Sequence, residues 1–409
     1  MTSRAGSLVP LALLLLGYWC PSLSAQLSRP DATTPPQELP AIDHSEASAD
    51  NEAEQPSQES LSFTLPAGED FELPSGSWTG RVVGIPEPEP IEKRGVPGLP
   101  TFTRSIVVQR RSYRYTMVGS DPFLARSGRV VVPLQIIPVR VVFNDGTVLD
   151  PTLPGPRCAG AGDPLTNTLG SPLFTDKDYG EGINRQYVEE NRRVEFWAVT
   201  AANSGYSVRV APVVLPTLTL TVNGPSQAAP CGRYVVLQFS SLDALLRTSG
   251  IPSLRKLGIS PRTFPLFLFT NVVTSDPRFG LAAGYHSAFN SGGTQTYGVA
   301  EYDTTEFDRN TLDVSVLAHE VAEWYDDPFG NNATPPWGHI GQQTGCQANL
   351  EVGDPLTGHD LEVTMPNGLT YHPQELAFFS WFFDQVPSLG LDGIYSWGGT
   401  FKSPASPCR

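Results

Sequence analysis

Lysine is scarce in this chain of 409 residues: Lys93, Lys177, Lys256 and Lys402 are four of 27 basic residues, the rest being arginine. Against 42 Asp and Glu they leave a formal net charge of −15 with histidine neutral. A chain so acidic repels phosphate backbones, which excludes broad electrostatic affinity for nucleic acid. No uninterrupted apolar run approaches the roughly 18 residues of a membrane-spanning helix, so no transmembrane segment is expected. There is no Cys-x-x-Cys pair, which argues against a cysteine-zinc knuckle and a thioredoxin-like redox site. No Gly-x-Ser-x-Gly elbow, phosphate-binding Gly-x-x-x-x-Gly-Lys loop or tandem repeat is present either. What abounds is glycine and proline, 38 and 39 residues without a collagen-like period. They imply many turns and a largely β or mixed fold, and hydrophobic residues at 40% suffice for a core.

The first 25 residues read as an export signal: Arg4, then the apolar stretch from Leu8 to Gly17, then small Ser22, Ser24 and Ala25. Export would remove Cys20 and leave Cys158, Cys231, Cys346 and Cys408, enough for two disulfides in three possible pairings. Residues 26–60 carry eight carboxylates against Arg29, among prolines and small polar residues. Such a segment cannot repay the entropy of ordering and reads as a disordered linker.

From 61 to 225 the pattern is β-rich with one helix. Val130 to Phe143 is dense in β-branched residues, and its Pro133 and Pro138 argue for an edge strand or a strand broken in two. The helix candidate runs from Arg185 to Trp197, with Tyr187, Asn191, Val194 and Trp197 at helical spacing. From 226 to 409 the elements are mixed. Phe264 to Val273 reads as a strand buried on both faces, and Thr296 to Tyr302 as another. Asn310 to Trp324 and Pro373 to Val386 read as helices, the latter with Pro373 in its first turn and Pro387 at its end. The aromatics of that last helix suit a core.

The sharpest local signal is His319-Glu320-Val-Ala-Glu323. Positions i and i+4 of a helix share a face, so His319 and Glu323 can converge on one metal, while Glu320 can face a metal-bound water. This is the pattern of the His-Glu-x-x-His zinc hydrolases with glutamate in place of the second histidine. A solvated helix face is the alternative, but Ala318, Val321 and Ala322 surround the polar groups with small or apolar side chains. Glu351 and Asp354 lie 28 and 31 residues beyond Glu323, and suit a third ligand and a partner orienting His319. They equally suit an arginine pair and an Asp-Pro turn. Asp327 is an alternative ligand or an organiser of the helix end. Tyr371 and His372 are candidates to stabilise an oxyanion. His339 and His359 could ligate from loops, whereas His286 has no evident role and His44 lies in the linker. Asn332-Ala-Thr334 is a glycosylation sequon, relevant only in a eukaryotic host.

The segments His319 to Phe329, Pro335 to Trp337, Leu350 to Leu356 and Tyr371-His372 resemble a group of secreted, largely uncharacterised bacterial proteins with a His-Glu-x-x-Glu helix. The likeness extends upstream through Tyr297 to Val299, Phe269 to Val273 and Glu190 to Trp197. More remotely it is similar to the gluzincin zinc peptidases, whose second helix histidine is Glu323 here. The resemblance implies Glu351 as the third ligand and does not imply a substrate. Taken with the residues, the expectation is an α+β fold with a zincin-like C-terminal domain, Zn2+ on His319, Glu323 and Glu351, and, in the enzyme reading, Glu320 as the base of peptide-bond hydrolysis on a peptide or protein substrate. The rival reading is a non-catalytic extracellular binding or structural protein stapled by its metal. Both place the chain outside the cell, and N-terminal sequencing of the exported protein should find a start between residues 23 and 27. An intact N-terminus on cytosolic protein would overturn the export reading.

Overall fold

The computed structural model describes residues 61–66, 98–124, 128–156, 162–180, 182–277, 280–307, 311–338, 346–382 and 394–401. The expected signal and linker lie outside them, as do His339, Cys158 and Cys408, so the disulfide pairing stays an expectation.

The element on which the fold is hung is a strand of 15 residues, Arg129–Phe143, with neighbours on both sides. The eight-stranded sheet around it takes strands from both halves of the sequence. We label them β1 (Ser62–Pro66), β2 (Arg129–Phe143), β3 (Ser207–Val214), β4 (Leu218–Asn223), β5 (Phe264–Thr270), β6 (Gly284–Asn290) and β7 (Thr294–Tyr302). The order is β1-β4-β2-β5-β7-β6, with β3 on the first half of β2 and the short Val148–Leu149 strand also on β2. Neighbours along this path are parallel except β6, which runs antiparallel to β7. The expected boundary near residue 225 therefore separates no cores: β1 to β4 and β5 to β7 are one sheet. Residues from Ser57 onward make one compact unit.

The prolines did not push β2 to an edge, and the ladder shows why. Leu215 donates its backbone N–H to the Ile136 carbonyl, so even-numbered residues here face β3 and β4 while odd-numbered ones face β5. Pro133 thus faces β5 one residue before that pairing begins at Leu134. Pro138 faces the gap between Ile136, last on β3, and Val139, first on β4. At both places the missing N–H falls outside the registered pairing on the side it faces, where the sheet tolerates a proline.

All seven residues of β5 are buried, as its unbroken apolar run requires of a strand covered on both faces. Phe264, Leu266 and Leu268 enter one core, and Phe267 and Phe269 the other. The second core is closed by Leu242, Leu246, Ile251 and Leu254. The first is closed by two helices, α1 (Tyr187–Glu195) and α2 (Ser315–Asp326), every residue of which is buried. Trp324 of α2 stacks on Phe264 at 4.0 Å between centroids and donates its indole N–H to Thr296 Oγ1.

The helix expected over 373–386 is largely absent among the described residues, where only Phe379–Phe382 is helical and 383–393 lie outside them. Instead the preceding backbone binds distant loops: Glu375 N–H to His359 O, Ala377 N–H to Val352 O and Phe378 N–H to Tyr395 O. Tertiary partners satisfy the donors that a helix would have used internally.

Buried helices carrying charge need internal partners. Arg192 of α1, fully buried, places Nη2 2.6 Å from Asp326 Oδ1 and donates to the Tyr325 carbonyl at 2.7 Å, at the C-terminal end of α2. Its Nε lies 3.4 Å from Glu195 Oε2. Arg193 donates to the carbonyls of Thr200, Asn203 and Tyr206, closing the turn after α1. Arg192→Met should cost about 3–5 kcal/mol of stability in urea unfolding, because it strands buried carboxylate without its cation. An unchanged unfolding midpoint would show that Arg192 does not hold the two helices together.

Candidate metal centre

Helix α2 lies on the sheet face against β6 and β7. The i, i+4 spacing stacks His319 and Glu323 as expected, with Nε2 3.0 Å from Glu323 Oε1. The close approach of strand to helix depends on Gly284, the first residue of β6: a β-carbon there would lie 2.5 Å from Val316 Cγ1 and 2.9 Å from Glu320 Oε1. Two residues on, the same strand delivers His286 to the helix. Its Nδ1 is 3.4 Å from Glu320 Oε2 and 3.7 Å from Glu323 Oε2, and its Nε2 is 3.8 Å from Glu351 Oε2.

The loop 350–354 closes the other side. Gly353 and Asp354 donate their N–H groups to Glu323 Oε1 at 3.2 and 3.1 Å. Gly353 lies flat on the His319 ring, where a β-carbon would come within 2.6 Å of Cγ and Nδ1. Asn349 holds Glu351 by a bond of 3.0 Å to Oε1, leaving Oε2 turned toward Glu323 and His286. Asp354 Oδ1 is 3.8 Å from His319 Nε2, on the ligand side of the ring. It is therefore not the orienting partner expected at Nδ1.

That partner is Gln374. Its Nε2 donates to the Gly353 carbonyl at 2.7 Å, which fixes the amide so that Oε1 faces His319 Nδ1 at 3.0 Å. An amide oxygen only accepts, so His319 Nδ1 carries a proton and Nε2 is the nitrogen available to a cation. The Asp327 carbonyl does the same for His286, accepting from Nε2 at 3.1 Å and leaving Nδ1 as the available nitrogen. Both available nitrogens face carboxylates, which favour a proton there until a metal displaces it.

All six groups are shut away: His319 is 0% exposed, Glu320, Glu323, Glu351 and Asp354 each 1%, and His286 2%. Yet His286 Nδ1, His319 Nε2, both Glu320 oxygens, Glu323 Oε2 and Glu351 Oε2 make no hydrogen bond of good geometry. In the absence of metal, protons must hold such a cluster together. Burial works against charging His319, but Glu323, then Glu320 and Asp354, outweigh it and push its pKa up to about 10. His286 is raised in the same way, burial being overcome by Glu320 and Glu323. Burial opposes ionisation of Glu323, but His319 overcomes it and holds this carboxyl below the usual range. Burial, then the charges of Glu323, Asp327 and Asp354, push Glu351 well above it. Burial also raises Glu320, against the pull of His286 and His319. Orphaned donors of this kind, imidazole nitrogen and carboxylate oxygen, suit zinc and other divalent first-row ions.

Two groups of three converge within 4.8 Å: His319, Glu320 and Glu323, and His286, Glu323 and Glu351. The expected trio of His319, Glu323 and Glu351 is thus divided between them, with Glu323 common to both. Asp327 organises the helix end, its carboxylate accepting from the N–H groups of Asn331 and Asn332. Burial, countered by those two bonds, raises its pKa to about 7. Asn332, the sequon residue, is itself buried, its amide engaged by Thr116 and the Asp326 carbonyl. Tyr371 is tied to Asn367 and His372 to Asp313, and neither contacts the six groups among the described residues. His359 is exposed.

His286 and Gln374 were not legible as members of the site. No fixed spacing links them to the helix, and the one hint was a histidine inside an otherwise small and apolar strand. Comparison with family models, curated proteins and solved structures gives no match for this chain. Gln374→Leu removes the acceptor that sets the His319 tautomer, and should weaken metal binding by about 10–100-fold in a chelator competition. Unchanged affinity would mean that Gln374 does not orient the ring.

Proposed function

We propose that this chain is a secreted metal-dependent hydrolase, in its most specific form a zinc peptidase, with α2 over the β6–β7 pair as a zincin-like core. The observation that supports this is Glu320. It is 1% exposed, both its oxygens lack hydrogen bonds of good geometry, and it stands between His319–Glu323 and His286. A carboxylate kept buried at such cost, with only the His286 ring as an ionic neighbour among the described residues, calls for a further reason. Proton transfer supplies the reason.

His319 and Glu323 would hold the ion from α2, with Asp354 beside His319 Nε2. When bound, a zinc ion lowers the pKa of a water molecule and polarises a carbonyl. Glu320 would take a proton from the attacking water and return it to the leaving amine. Burial raises its pKa, and a raised carboxyl both accepts and releases a proton closer to neutral pH. His286 Nδ1 lies 3.4 Å from the carboxylate. Tyr371 and His372, held by Asn367 and Asp313, are not required for this step.

A second reading is supported by burial itself. Every donor is at most 2% exposed, as expected of a metal that staples an extracellular binding or structural protein. The two readings part at Glu320→Gln. In the hydrolase, this variant should keep its metal and lose about 10²–10⁴-fold in cleavage of a peptide library. His319→Ala should lose both metal and activity. Wild-type protein that binds metal and shows no hydrolysis beyond that of Glu320→Gln would overturn the peptidase and leave the stapled protein.

A further inference from the structure

Glu323 has one oxygen for each imidazole. Oε1 faces His319 Nε2 at 3.0 Å, and Oε2 faces His286 Nδ1 at 3.7 Å. Each of those nitrogens is the one available to a cation, because the other ring nitrogen donates to a fixed acceptor, Gln374 Oε1 or the Asp327 carbonyl. Asp354 Oδ1 lies 3.8 Å from His319 Nε2, Glu351 Oε2 lies 3.8 Å from His286 Nε2, and Glu320 stands beside both histidines. The two histidines fall in different converging groups, and Glu323 is the member common to both.

No lysine or arginine pairs with Glu320, Glu323 or Glu351 among the described residues. His319 Nε2 and both Glu320 oxygens in one converging group, and His286 Nδ1 and Glu351 Oε2 in the other, are buried without a hydrogen bond of good geometry, so each group keeps orphaned ligand atoms of its own.

We propose that the centre is dinuclear, with one divalent first-row cation on His319 and Glu323 and a second on His286, Glu323 and Glu351, bridged by the Glu323 carboxylate. This rests on the reading of the cluster as a metal centre, and is independent of whether Glu320 catalyses hydrolysis. Glu320 lies beside both histidines, so it can complete either side. A carboxylate-bridged pair of ions is also a known arrangement for hydrolysis, where both metals flank the displacement.

The experiment uses the full chain, stripped with chelator, reloaded with Zn2+ or Mn2+ and dialysed. Elemental analysis should find two ions per wild-type chain, and one in His286→Ala. The manganese-loaded wild type should give the exchange-coupled electron paramagnetic resonance spectrum of a bridged pair. His286→Ala, or Glu351→Gln should the first variant fail to fold, should give the six-line spectrum of an isolated ion. One ion per chain with an isolated-ion spectrum overturns the proposal, whether or not His286→Ala retains it. Two ions retained in both variants overturn it as well. No bound metal in the wild type overturns it together with the metal-centre reading. Two coupled ions in a wild type whose hydrolysis equals that of Glu320→Gln uphold it while removing the peptidase.

Discussion

Negative charge buried without a matching cation is the constraint around which the C-terminal half of this molecule is arranged. Glu320 and Glu323 on α2, with Glu351 from the loop beyond, sit at 1% exposure beside two imidazoles, and no lysine or arginine pairs with them among the described residues. Ionised carboxylates in such surroundings must be neutralised by protons, by cationic side chains or by metal. The rest of the fold supplies the geometry of that neutralisation. Gly284 lets β6 lie close enough for His286 to arrive, and Gly353 lets the loop press on the His319 ring.

A single helix shows two answers to the same problem. At the C-terminal end of α2, Asp326 meets Arg192 at 2.6 Å, and that cation also takes the Tyr325 carbonyl. Burial raises Asp326, and Arg192 opposes the rise. One turn earlier, Glu323 has no arginine among the described residues; it has His319, His286 and two backbone N–H groups. A guanidinium fills its site permanently and makes structure. Imidazoles with inward-facing nitrogens leave room for an exchangeable cation, and that difference separates a packing contact from a candidate centre on adjacent turns.

How much of this was legible depended on whether a rule of fixed spacing existed. The i, i+4 rule placed His319 and Glu323 together before any coordinates, and the 28-residue interval brought Glu351 into the neighbourhood. Thr296 to Tyr302 was readable as a buried strand, and so was the first part of Phe264 to Val273; that run breaks at Asn271, whose φ is 59°, into Phe264–Thr270 and a strand of another sheet, Val272–Asp276. Three matters had no such rule. Which strands share a sheet is a long-range fact, so the supposed boundary near 225 fell inside one sheet. Pro133 and Pro138 could be harmless only in relation to where β3, β4 and β5 begin and end. His286 joins the site through the antiparallel pairing of β6 with β7, in which it sits opposite Gly298.

The failure of the expected helix at 373–386 belongs to the same chemistry as the site. Were Pro373 to Phe378 helical, their N–H groups would be spent within the segment. In the extended form observed, Glu375 and Ala377 bind the His359 and Val352 carbonyls, on either side of the loop that carries Asp354. That anchoring holds Gln374 between Gly353 and His319, where one amide group ties the loop carbonyl and sets the histidine tautomer together. Local propensity for helix, worth a fraction of a kcal/mol per residue, is outweighed by several tertiary hydrogen bonds of about 1 kcal/mol each. The orientation of His319 Nε2 is therefore set by folding, before any ion arrives. A ring held this way loses no rotational freedom on binding a cation, and the ordering cost of the donor has been met by the same bonds that prevent the helix.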